Sequence, residues 1–170
     1  MRPLAEALLE FDGKNTKLLE AIRDSYTDAE APINEALALC ATEDEIAQIG
    51  ATWLLRVWFE RGVPCQATHA TKLARCLDGL ISHHAELHVC QSIDVLKVSR
   101  GKSAETYAEF LRQRLQHKRP FLRAWATDGL TRLAAQHPAY AAEAEEATAR
   151  ALEDGAASVR ARARNILAGK

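Results

Sequence analysis

The sequence predicts an all-α fold. Of its 170 residues, 32 are alanine and only 6% are aromatic, and β-branched residues do not gather into strand-like runs. Helix start and stop signals recur along the whole chain.

The elements follow in order. Helices are expected over 3–11 and 15–26, where Glu6 and Glu10 interrupt an apolar pattern. The next, over 32–41, opens with Pro32, at a first-turn position that needs no amide hydrogen. A helix over 43–61 starts from Thr42-Glu43-Asp44-Glu45, read as a capping box in which Thr42 accepts from the helix and Glu45 reaches back. Gly62 closes that helix as a left-handed residue. The stretch RGVPCQATH, with Gly62 and Pro64, marks a longer loop before helices over 66–81 and 84–99. Ser103 is expected to cap 103–117, and Pro120 to open 120–136. Gly155 ends 139–153, and Ser158 caps 158–168. Ten helices with short connections imply helical hairpins.

Composition excludes several classes. Apolar residues make up 48% of the chain and charged residues 26%, which suits one soluble domain over 1–170. No apolar run approaches the roughly 18 residues of a membrane span. The charged N-terminus does not resemble a secretory signal, so a cytoplasmic location is expected. Cys40, Cys65, Cys76 and Cys90 have no paired spacing and are expected as free thiols. The net charge of −1 hides an asymmetry: residues 1–60 carry −7 and residues 95–135 carry +6. A polarised surface follows, without the general basicity of a protein that coats nucleic acid.

An internal repeat organises most of the chain. Ile46, Leu87, Leu122 and Val159 are taken as equivalent anchors. Seven residues before each stand Leu39, Leu80, Leu115 and Leu152, and eight after stand Leu54, Val95, Leu130 and Leu167. The first step crosses a tight turn between antiparallel helices. The second keeps one face of the second helix inward. Gly50, Ala126 and Ala163, four after the anchor, are small enough to let helices approach closely. The stretches SVRARARNIL and FLRAWATDGL open second helices with Val159-Arg160 and Leu122-Arg123. In this the chain resembles HEAT and HEAT-like repeats over residues 32–168, with Ala47 and His88 replacing the arginine in the two earlier units. Residues 1–31 resemble a diverged N-terminal cap pair. The resemblance implies a right-handed α-solenoid of about five antiparallel helix pairs and an interaction scaffold, not a chemistry.

Candidate sites are weighed against this register. LISHHAELHVCQSI holds three histidines and Cys90, but His84-Ala-Glu86-Leu-His88 is not H-E-x-x-H. Cys90 lies about 200° around a helix from His88, and His69 is the other candidate nearby. No metal and no cofactor are expected. One position after the anchors, and four further on, the second helices place His88, Ser92, Arg123, Thr127, Arg160 and Arg164 on one face, and Arg119 extends it. This stripe is the candidate surface for a carboxylate- or phosphate-bearing partner. The competing reading is a ladder in which the arginines bond Asp94, Asp128, Asp154 or helix-end carbonyls. Trp125 and Asp128 beside Arg123 faintly resemble HEAT-like DNA glycosylases that act on alkylated bases, though core packing also explains Trp125. Trp53, Trp58 and Phe59 lie in the most apolar helix and are expected in the core. Gly101-Lys102-Ser103 lacks the rest of a phosphate loop. The expected function is a non-catalytic scaffold for an unidentified protein, with nucleic-acid binding as the alternative.

Overall fold

The computed structural model describes residues 2–26 and 30–170. The described residues form ten α-helices and no strand. They are α1 (Leu4–Leu8), α2 (Thr16–Ser25), α3 (Glu30–Cys40), α4 (Glu45–Glu60), α5 (Ala67–Ala74), α6 (His83–Ser92), α7 (Lys102–Leu115), α8 (Pro120–Gln136), α9 (Ala141–Leu152) and α10 (Ala157–Leu167). Single 3₁₀ turns stand at Leu77–Gly79 and Pro138–Tyr140. No helix among these residues is long and apolar enough to cross a membrane.

The ten expected helices are all present, but two overran in sequence. The helix expected over 66–81 stops at Ala74 and the one expected over 84–99 stops at Ser92. In both cases a glutamine side chain takes the backbone groups a helix would have used. Gln48 donates to the Gly79 carbonyl (2.9 Å) and accepts from the Ile81 amide (2.9 Å). Gln136 donates to the Ile93 carbonyl (3.0 Å) and accepts from the Val98 amide (3.1 Å).

Several caps also differ. Asp44, not Thr42, caps α4: its Oδ1 accepts from the Ile46 and Ala47 amides at 2.9 and 3.0 Å. Thr42 instead donates its hydroxyl back to the Leu39 carbonyl, and so belongs to the end of α3. Gly101, with φ +77°, holds the position before α7, and the Ser103 hydroxyl is buried one residue inside that helix. Ser158 likewise lies inside α10, while Asp154 accepts from the Ala156 amide ahead of it. Gly62 does adopt the left-handed conformation (φ +92°), whereas Gly155 does not.

The described residues group into two compact units: residues up to Val89 with Val95–Lys97, and Cys90–Asp94 with Val98–Lys170. In the first unit α1 packs on α3, α2 on α4, and α3 on both α4 and α5. Leu4, Leu19, Ile33, Leu54 and Leu77 are fully buried there, and Trp58 and Phe59 join them in the core. Gly50 sits where a Cβ would meet the Leu8 side chain at 2.7 Å, so a larger residue there would have to displace that side chain. In the second unit α8 packs on α7, α9 and α10. Tyr107, Leu111, Leu122, Leu130 and Leu133 are buried, and a layer of Ala124, Ala151, Val159 and Ala163 is sealed by Leu152 and Ala156. Two of the repeat anchors are therefore core, Leu122 and Val159, but Ile46 is 43% exposed.

Candidate functional site

The second-helix column is built from one recurring hydrogen bond. On α8, Arg123 Nη1 donates to the carbonyl of His117, six residues earlier, at 2.8 Å. On α10, Arg160 Nη1 donates to the carbonyl of Asp154, also six residues earlier, at 2.7 Å. On α4 the donor at the same offset is Gln48, whose Nε2 reaches the Thr42 carbonyl at 2.8 Å. Each bond ties a second helix to the turn that leads into it. The three residues are thus structural equivalents, and the first unit's register is one residue later than the anchors implied. Ile46 is exposed for that reason. Thr52 and Thr127 confirm the alignment: each lies four residues on, is buried, and donates its hydroxyl to the carbonyl of its own ladder residue at 2.8 Å.

The ladder residue also grips the turn of the following helix pair. Gln48 does so through Gly79 and Ile81. Arg123 does so through Asp154, with Nε on Oδ2 and Nη2 on Oδ1, both at 2.9 Å, a bidentate fork. The Arg123 guanidinium, and then the Ala156 amide, hold the Asp154 carboxyl below the usual range. Arg123 is raised in turn, chiefly by its bond to Asp154. This is the ladder that the sequence offered as the alternative to a binding stripe.

The stripe is consequently not one open surface. Arg123 is occupied by Asp154, and Ser92 and Thr127 are buried. His88 lies with Nδ1 3.0 Å from the Thr52 hydroxyl. Burial first, then the positive field of Arg56 and His84, pushes its pKa down to about 3, so it is a neutral imidazole at pH 7 and not a cationic contact. Arg119 is exposed at the turn before α8. On α10 the column is only partly covered, and Arg160 is half-buried. Arg160 has its Nη1 anchored, while Nε and Nη2 meet no partner among the described residues, and Arg164 and Leu167 are exposed on the same face.

The other candidates resolve within their own units. Among the described residues no three His, Cys, Asp or Glu side chains converge on a point. The His83 and His84 rings lie tilted against each other with centroids 4.0 Å apart, and His69 accepts from the Gln66 amide while its Nε2 faces Glu30 at 3.6 Å. Trp125 has its ring covered by the Arg162 guanidinium at 3.9 Å. Asp128 is only 4% exposed, between Arg132 (3.5 Å) and Arg162 (3.7 Å), and its burial raises its pKa. Both residues of the glycosylase-like pair are therefore covered by guanidinium groups.

Grooves in the second unit include two beside these helices. One, of about 410 Å³, runs between α8, α9 and α10 and is lined by small apolar residues including Ala134, Ala144 and Ala149, with Leu152, Ile166 and Leu167. The other, of about 460 Å³, is of mixed polarity: the paired side chains of Arg112 with Glu143 and Arg123 with Asp154 line it together with Leu115, Ala147 and Val159.

Sequence reasoning missed Gln48 as a ladder residue. The signal was present: Gln48 precedes Thr52 by four residues, as Arg123 precedes Thr127. No family model, curated protein or solved structure matches this chain.

Proposed function

We propose that this chain is a cytoplasmic HEAT-like repeat protein, a right-handed α-solenoid of about five helix pairs, and that it serves as a non-catalytic scaffold for another protein. One observation carries the reading. On α8 the ladder face is covered: Arg123 is paired, Thr127 is buried and Leu130 is 0% exposed. On α10, at the matching positions, Arg160 is half-buried with no carboxylate across from it among the described residues, Arg164 is exposed, and Leu167 is 66% exposed. A face of the same design is thus covered on α8 and less covered by the described residues on α10. Two guanidiniums beside an apolar side chain and an alanine-lined groove suit a helix that carries carboxylates on one side.

The partner would meet a surface fixed in advance. Arg160 is already anchored through Nη1, so little freedom of its side chain remains to be lost on binding.

The test is affinity capture from native lysate by the full chain, with and without nuclease, against Arg160→Glu/Arg164→Glu. A protein retained after nuclease and lost with the double variant is the expected result. Recovery of nucleic acid alone, with steep salt dependence, would replace this reading with the nucleic-acid alternative.

A further inference from the structure

The Arg123–Asp154 junction specifies what should cover α10. Asp154 sits in the turn between α9 and α10, three residues before the second helix begins. Its Oδ1 is held by the amide two residues on, and the carboxylate takes the arginine fork. Asp12 repeats this device in the turn between α1 and α2, four residues before α2 begins. Its Oδ1 accepts from the Lys14 and Asn15 amides at 2.9 and 2.8 Å, and its Oδ2 meets no partner among the described residues. Asp12 is a ladder aspartate without its arginine. Arg160 is a ladder arginine without its aspartate.

The apolar contacts match in the same way. Three residues before Asp154 is Ala151, which packs into the Ala124, Val159 and Ala163 layer. Three residues before Asp12 is Leu9, 83% exposed. Seven residues after Arg123 is Leu130, fully buried, and seven after Arg160 is the exposed Leu167. Leu9 and Leu167 are the two most exposed of the large apolar side chains that stand out to solvent among the described residues. Charge agrees as well. The unit that bears Asp12 has 9 Lys and Arg against 14 Asp and Glu, and the unit that bears Arg160 has 13 against 9.

We propose that a second copy of this chain docks on the α10 face, head to tail, with Asp12 of one molecule in the guanidinium fork of Arg160 of the other and Leu9 packed near Leu167. The contact is heterologous, because the two surfaces differ. It uses the α10 face assigned above to a partner, and goes beyond that reading by naming an occupant.

Sedimentation velocity of the full chain, from about 1 to 300 µM, tests this. The average mass should rise with concentration and the rise should weaken with added salt. Arg160→Glu and Asp12→Arg should each raise the dissociation constant at least about 30-fold. Leu9→Lys and Leu167→Lys, which alter exposed side chains, should weaken association while leaving helical circular dichroism unchanged. The decisive arm mixes Arg160→Glu with Asp12→Arg. Each variant keeps one intact half, and the two altered halves carry opposite charges, so the mixture should recover the association that each variant alone has lost. A chain that stays monomeric at the top of the range, association that both charge variants leave intact, or a mixture that stays monomeric would overturn the proposal. Monomers that still capture a protein through Arg160 would remove the self-association and leave the scaffold standing.

Discussion

Replacing Gln48 with alanine should unfold the α4–α6 region at much milder conditions. Gln48 is fully buried and makes three hydrogen bonds, to the Thr42 and Gly79 carbonyls and from the Ile81 amide. Truncation leaves all three backbone groups without their partner. A fully buried group so stranded would cost about 1–3 kcal/mol; Thr42, Gly79 and Ile81 are exposed residues, so water recovers part of it. A net loss of about 3–5 kcal/mol follows, equivalent to a midpoint lowered by about 8–15 °C for a chain of this length. Urea denaturation followed by circular dichroism at neutral pH measures it. Gln48→Glu is the sharper companion: it keeps the acceptor for Ile81 but sets a carboxylate against two carbonyl oxygens, so it should be at least as damaging and should recover in part at acid pH. A loss below about 1 kcal/mol for Gln48→Ala would show that the clamp does not hold the turn, and the ladder argument would fall with it.

Three other outcomes are expected. His88 has a folded pKa of about 3, below the ordinary imidazole value, so the unfolded chain binds the extra proton between about pH 3 and 6.5. Its contribution is complete above pH 6.5 and falls with decreasing pH by up to about 1.4 kcal/mol per unit; denaturation at pH 5, 6 and 7 should show this slope, and His88→Asn should flatten it. Asp154 is shifted the other way for a carboxyl, downward, so its contribution is present above the ordinary value of 3.8 and is lost as pH falls through the lowered folded value. A double-mutant cycle of Arg123→Ala with Asp154→Ala should give a coupling of about 1–3 kcal/mol at pH 7 that shrinks toward pH 2. Gly129→Ala would place a Cβ 2.8 Å from the Leu111 side chain and 3.1 Å from the Cys90 carbonyl, and should cost about 1–3 kcal/mol by chemical denaturation.

The helices were legible because alanine, proline and turn signals are local, and local rules set them. What the sequence hid was settled at long range. The ends of α5 and α6 depend on Gln48 and Gln136, which reach them from 31 or more residues away. The Thr42 capping box was a reasonable pattern, but Asp44, two residues nearer the helix, accepts from the next amides, Ile46 and Ala47, with a better acceptor. The stripe was legible as a column and illegible as a surface, since Arg123 and Arg160 are alike in sequence and differ only in whether Asp154 stands across from them. His88 was read as a polar member of that column, but its position against Thr52 and Arg56 makes it a neutral, half-buried group.

The central claim is that one repeated position is structural on α8 and a docking surface on α10. Its most direct test is a paired comparison of Arg123→Ala and Arg160→Ala, each measured for stability by urea denaturation and for binding by capture and sedimentation. The account predicts that Arg123→Ala loses about 2–4 kcal/mol, because Asp154 is left partly buried without its cation. It predicts that Arg160→Ala loses about 1 kcal/mol or less, for one hydrogen bond, and loses binding. Equal effects on stability, or binding that survives Arg160→Ala, would contradict it.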